Sequence, residues 1–415
     1  MTDLASVLNA QHLLLLMAVL LATGVVCSWV ARKLHLPDLV LYLLAGMLLG
    51  PHGAGFFTVP VDSTLEQLML AFGASYILFE GGTGVRFEVF RQIWLTVTLI
   101  ATLGVLISAA VVCVAAHYAL SLPWLAALLL GAVVAATDPA ALIPLFRQIS
   151  VRERLAQMVI CEAAFNDAVS AVLAFALVGA AGAGGLDLGV AAESFALQAG
   201  VGLLAGVALG FAAAFLMGHG RYGFLRDYAP LVTLITVIGA YLGADRLGAS
   251  GFMAVFVAGM ILGNRHSFGF TLAPGENRRL HEYADTTAMI LRMIVFMLLG
   301  AQIDLQAMGG EFWGAAACVL ALMLVARPLT VLSCALPDRR VRWSGRELLF
   351  MCWTRETGVI PGALAGMLLA RGVGHAEQIA GVTFLAIVVT LLLQGGTSRW
   401  VATRLGVLEP GTRGG

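Results

Sequence analysis

Glu162-Ala163-Ala164-Phe165-Asn166-Asp167 stands deep inside an otherwise apolar run, Leu155–Gly182. A carboxylate in hydrocarbon costs roughly 2.5–3.5 kcal/mol even on the lenient insertion scale, so it persists only when paired or exposed to a water-filled cavity. The preceding apolar run, Pro123–Leu145, carries Thr137-Asp138-Pro139 near its middle. Acids on consecutive apolar runs, one run broken beside its acid, point to a pathway for ions or protons.

Composition fixes the class. The chain is 60% hydrophobic and 12% charged over 415 residues, and apolar stretches of about 20 residues, the length that crosses a bilayer, recur from end to end. This predicts an all-α polytopic membrane protein in a lipid bilayer, with no segment polar enough for a separate soluble domain. The 48 glycines agree, because small residues let membrane helices approach closely. Net charge is zero, which gives no footprint for nucleic acid. Cys27, Cys113, Cys161, Cys318, Cys334 and Cys352 fall in apolar runs without metal spacing and read as small core residues.

Thirteen spans are expected, near 12–31, 37–50, 64–82, 92–117, 123–146, 155–182, 188–218, 228–245, 249–264, 284–302, 311–335, 347–370 and 378–398. Basic residues test that count. Loops on one side hold 19 of the 24 Lys and Arg, the opposite loops only Arg246 and Arg371, and Arg292, Arg327 and Arg355 lie within spans. A miscounted span would scramble the alternation. By the positive-inside rule the N-terminus lies outside the cell (inner) membrane and the C-terminus in the cytoplasm.

The halves also repeat. Leu44-Ala45-Gly46-Met47-Leu48-Leu49-Gly50 in span two returns as Val257-Ala258-Gly259-Met260-Ile261-Leu262-Gly263 in span nine. Matching spans are an odd number apart, so the copies are inverted, as in secondary transporters with a midplane site. Repeat one is expected over about 12–182, a linking helix over 188–218 and repeat two over about 228–398. Spans five and twelve are expected to be discontinuous helices. The first breaks at Thr137-Asp138-Pro139, the second at Thr357-Gly358 and Pro361 beside Arg355-Glu356.

Asp138 before Pro139 reads as an N-cap that starts a new half-helix, with Thr137 offering a hydroxyl and an unwound carbonyl. Glu162 and Asn166 share a helix face, while Asp167 and Ser170 line a neighbouring one. Arg327, mid-span beside Pro328, needs a buried carboxylate, and Glu162 is the expected partner. That leaves Asp167 free to hold a proton or a partly dehydrated cation. Glu80, near the end of span three, and Arg355 and Glu356 at the break are accessory candidates; Arg292 has no evident partner.

On Thr137-Asp138-Pro139, Glu162 with Asn166-Asp167, Arg327-Pro328 and the segment Leu36-Pro37 to Leu49-Gly50-Pro51, the chain resembles the monovalent cation:proton antiporter superfamily, in particular its NhaP-type sodium/proton exchanger branch. The resemblance spans essentially the whole chain. It implies a non-enzymatic antiporter without cofactors that exchanges Na+ or K+ for H+. It further implies a homodimer in which a core domain, with spans five and twelve as its two crossing discontinuous helices, moves against a dimerisation domain. Asp167 would bind cation and proton in turn, supported by Asn166 and Thr137, with Glu162 paired to Arg327. Two positions depart from the branch. Ala163 replaces a common serine, and Glu356 adds a charge beside the arginine carried over as Arg355. No nucleotide-binding domain is expected after span thirteen. A channel lacks a carbonyl-rich filter here, and an intramembrane protease lacks a mid-span histidine to activate Ser250.

Overall fold

The computed structural model describes residues 2–34, 36–60, 63–138, 146, 151–182, 188–220, 222–303 and 310–408. Fourteen helices account for most of these residues. They are α1 (Thr2–Leu34), α2 (Asp38–Leu49), α3 (Thr64–Thr83), α4 (Phe87–Leu120), α5 (Trp124–Ala135), α6 (Glu153–Gly182) and α7 (Leu188–Gly218). The second half of the chain supplies α8 (Ala229–Arg246), α9 (Gly251–Gly263), α10 (Pro274–Ala301), α11 (Phe312–Ala335), α12 (Gly345–Trp353), α13 (Val359–Ala370) and α14 (Ala376–Leu405). Eight of these segments are long and apolar enough to cross a membrane, and α2, α5, α9 and α13 are shorter apolar helices.

Local sequence sets the boundaries. Ser63, Ser250 and Ser344 each cap a helix, accepting the N–H of Glu66, Met253 and Glu347 respectively. Pro230 and Pro274 occupy first-turn positions, where the missing N–H costs nothing. The expected fifth span is helical only to Ala135, after which Ala136–Asp138 is non-helical. Pro139 and most of the remainder of that span lie outside the described residues. The expected twelfth span is two helices, α12 and α13, with Thr354–Gly358 non-helical between them. Three other helices loosen into a wide turn with i+5 bonding: α4 at Ile100–Gly104, α11 at Leu322–Ala326 and α14 at Thr390–Gly395. Such turns cluster at functional sites. Here one directly precedes Arg327 and another carries Thr390 and Gln394.

Helix α6 is nearly all buried and forms the centre of the packing, whereas α1 exposes most of its apolar surface, including Leu14, Leu15 and Trp29. Two glycine-mediated crossings hold the interior. Where α2 crosses α10, a Cβ on Gly46 would collide with the Met297 carbonyl, and one on Gly300 with the Leu43 carbonyl. Where α9 crosses α3, Gly259 meets the Phe79 carbonyl and Gly82 meets Phe256 in the same way. One crossing maps onto the other by pairing Gly46 with Gly259 and Gly300 with Gly82, and Met297 then falls on Phe79 and Leu43 on Phe256.

Side chains at these crossings therefore disrupt packing. Gly46→Val and Gly259→Val should each lose about 1–3 kcal/mol or more through overpacking, seen as lower melting temperature and yield in detergent. Gly239→Ala, at a position with open space around the new methyl, should melt like the parent.

Candidate ion-binding site

The two breaks meet, and each of the three loose ends among the described residues is met by a side chain from elsewhere. At the C-terminus of α5 the carbonyls of Val134 and Ala135 accept from Arg355 Nη2 at 2.8 and 2.9 Å. At the C-terminus of α12, Arg327 donates from Nε to the Met351 carbonyl at 2.8 Å and from Nη2 to the Thr354 carbonyl at 2.9 Å. Both guanidiniums thus sit at the negative ends of half-helices, where orphan carbonyls favour a cation. The N-terminus of α13 is met by Asp138, whose Oδ2 accepts the Val359 N–H at 3.4 Å. Asp138 also donates its own N–H to the Glu356 carbonyl at 2.8 Å, joining the two unwound segments. Only glycine fits at position 358, because a Cβ there would overlap the Asp138 carboxylate. The half-helix that Asp138 was expected to cap lies outside the described residues; its carboxylate serves the crossing helix.

Arg327 is also gripped by Glu162. Nη2 donates to Oε2 at 3.0 Å and Nη1 to Oε1, with both residues buried. The fork therefore ties α6, α11 and the end of α12 together. It leaves Glu162 with no free role.

Asn166 and Asp167 take separate tasks. Asn166 Oδ1 accepts the Thr137 N–H at 3.1 Å, and its Nδ2 donates to Thr137 Oγ1 at 2.9 Å, clamping the unwound end of α5 to α6. Asp167, 2% exposed, keeps Oδ1 without a hydrogen-bond partner. Ser170, one turn on, likewise has a buried hydroxyl without a partner. A carboxylate oxygen and hydroxyls beside an unwound helix can coordinate a small dehydrated cation, or hold a proton instead.

Arg355 and Glu356, which could have served helix ends or each other, divide differently. Arg355 caps α5, while both carboxylate oxygens of Glu356 are buried without a hydrogen bond. Nothing in the structure explains that charge. Gln394 and Thr357 beside it also have partnerless oxygens, and the Thr357 N–H donates to Thr390 Oγ1 at 3.0 Å. Sequence reading passed over Thr390 and Gln394, although polar residues inside span thirteen were the signal. It also left Arg292 without a partner, and here the structure corrects it. Arg292 Nη2 donates to Glu80 Oε2 in a half-buried ion pair between α10 and α3.

A cavity of about 740 Å³ approaches the crossing between α10, α11, α13 and α14. Glu311, His375 and Gln378 lie at its rim, and Leu299, Gly362 and Ile387 line its deeper part, Gly362 one turn beyond Gly358.

Removing one member of the Glu162–Arg327 pair leaves a buried lone charge. Glu162→Gln or Arg327→Ala should each lose on the order of 3–5 kcal/mol, and the double variant should lose less than the sum. Detergent melting checks this, and strictly additive losses would count against coupling.

Comparison with known proteins places this geometry. Residues 18–404 match the family model described as sodium/hydrogen exchanger, transmembrane. The K+/H+ antiporter NhaP of Alkalimonas amylolytica is 29% identical over 397 residues, 94% of this chain and 66% of that protein. The Na+/H+ antiporter ApNhaP of Aphanothece halophytica is 28% identical over 414 residues, 96% of this chain and 75% of that protein. The chain thus spans about two thirds to three quarters of these relatives' length. The solved sodium proton antiporter MjNhaP1 of Methanocaldococcus jannaschii superposes with a TM-score of 0.83 at 25% identity, covering 95% of this chain and 99% of that one. The chain is a multi-pass membrane transporter that belongs to the sodium/hydrogen exchanger family of monovalent cation/proton antiporters.

Proposed function

We propose that this protein exchanges Na+ for H+, one for one, by alternating access, with Asp167 binding cation and proton in turn. The carrying observation is the Asp167 Oδ1 atom, buried without a hydrogen-bond partner, next in sequence to the Asn166 that clamps Thr137 and one turn before Ser170, whose hydroxyl is also unmet. Asn166 positions Thr137, and Asp138 holds the crossing in register. Of the other buried acids of the crossing, Glu162 is forked by Arg327 and Asp138 caps α13, while Glu356 meets no hydrogen bond. With Asp167 exchanging its proton and Glu356 keeping one protonation state throughout the cycle, one positive charge moves in each direction and exchange is electroneutral.

In this reading the chain is built of two inverted repeats, thirteen spans in all, with the N-terminus outside, and works as a homodimer. The paired glycine crossings, α2 on α10 and α9 on α3, support an inverted repeat because each contact in one has its mate in the other. The cavity gives the access route for the conformation at hand. A second reading, K+ for H+, is favoured by relatives named as K+/H+ antiporters. It uses the same site. The absence of a hydroxyl at Ala163 removes one oxygen that would favour the smaller ion.

In proteoliposomes, Asp167→Asn should abolish exchange and leave a folded protein. Dissipation of an imposed pH gradient by the variant on adding cation would refute the assignment. The parent's exchange with Na+, K+ and Li+ ranks the ions, and an imposed membrane potential should change neither rate nor end point. Because proton and cation compete, the apparent cation affinity should fall as pH drops and Asp167 takes up its proton.

A further inference from the structure

We propose that Glu356 is held as a neutral carboxylic acid whose own hydroxyl is the donor to Gln394 Oε1, latching the second break, Thr354–Gly358, onto the wide turn of α14. The proposal deepens the antiporter reading above. It rests on Asp167 as the exchanging carboxylate and names the protonation state that Glu356 keeps through the cycle. Glu356 is thus a positioning residue, and its proton is not the one exchanged.

The second break is fastened to α14 at successive points. Trp353 Nε1 donates to Thr397 Oγ1 at 2.9 Å, and the Thr357 N–H donates to Thr390 Oγ1 at 3.0 Å. Between these two, Glu356 packs on the same stretch of α14, its Oε1 3.8 Å from where a Cβ on Gly395 would stand. In a turn with i+5 bonding, residues four and five apart fall on one face, so Gln394 and Gly395 flank the direction of Thr390. Gln394, itself buried, therefore stands beside Glu356 with its Oε1 unmet.

What this pocket lacks is donors. The Thr390 hydroxyl donates to the Ala386 carbonyl at 2.7 Å, and the Thr354 hydroxyl donates to the Phe350 carbonyl. Arg327 spends its three nitrogens on Glu162 and on the carbonyls of Met351 and Thr354. Arg355 turns to the end of α5, and its Nη1, without a partner, does not reach Glu356. Among the described residues no donor meets either carboxylate oxygen of Glu356. A proton repairs this. The protonated acid supplies the donor that Gln394 Oε1 lacks, and it sheds a charge whose burial without a partner is prohibitive. Neutrality also serves the exchange. The Glu356 carbonyl accepts the Asp138 N–H at 2.8 Å, so an ionised Glu356 would set a second negative charge beside the acid that caps α13.

Infrared spectroscopy of the purified transporter reads the proposal directly. With Na+ saturating, so that Asp167 is ionised, the parent should show the carbonyl stretch of a protonated carboxyl that is missing from Glu356→Gln. In proteoliposomes Glu356→Gln should exchange at close to the parent's rate and cation affinity, because its amide N–H replaces the hydroxyl as donor. Glu356→Ala, which has no donor, should slow exchange several-fold. Gln394→Leu leaves Glu356 in place and covers the case in which Glu356→Gln does not fold; the acid band should remain and move to the frequency of a carboxyl without an acceptor. Three results would each overturn the proposal: Glu356→Gln losing a carboxylate band in place of the acid band, the acid band vanishing from the parent as Na+ is added, or an unmoved band in Gln394→Leu. Exchange by Glu356→Ala at the parent's rate would overturn the latch. Asp167→Asn should keep the band, which separates the two readings. Exchange by that variant would refute the Asp167 assignment whatever the Glu356 band does.

Discussion

Within hydrocarbon, a backbone N–H or C=O that loses its helical partner must find another, and this protein breaks two helices at one place. Its solution is reciprocal. The carbonyl end of α5 is served by an arginine from the second break, and the amide end of α13 is served by an aspartate from the first. A third loose end, the C-terminus of α12, takes Arg327, which brings Glu162 with it. Four charges are thereby committed to the backbone or to one another. What remains over is Asp167 on α6, with Glu356 unmet at the second break.

The same constraint explains why so little can be altered nearby. Gly358 has no room for a side chain because Asp138 occupies it. Asn166 uses both ends of its amide on Thr137, so an aspartate there would lose a donor and add a charge beside Asp167. Glu356 does not fit this economy, since neither of its oxygens is met.

Much of this was legible in the sequence because membrane-embedded charge is so costly that each instance demands a reason. The Asn166-Asp167 pair, the break before Pro139 and the mid-span Arg327 could all be picked out on that ground. Partnerships were harder. That Arg355 caps α5 depends on the crossing of two segments more than 200 residues apart in sequence, and no local pattern encodes it. Glu80 and Arg292 were two leftover charges in spans three and ten, and pairing them needed the packing of α3 on α10. The wide turns in α4, α11 and α14 each contain or adjoin a glycine or proline, Gly104, Pro328 and Gly395, but among 48 glycines that signal does not stand out. The half-helix expected after Pro139 lies outside the described residues.

The central claim is that one carboxylate serves two ions, and it can be tested without transport. Cation is titrated into the purified protein in weakly buffered detergent solution while released protons are counted. A shared site predicts one proton released per cation bound in the parent, with binding and release both lost in Asp167→Asn. Cation binding without proton release, or equal release from the parent and Asp167→Asn, would contradict it.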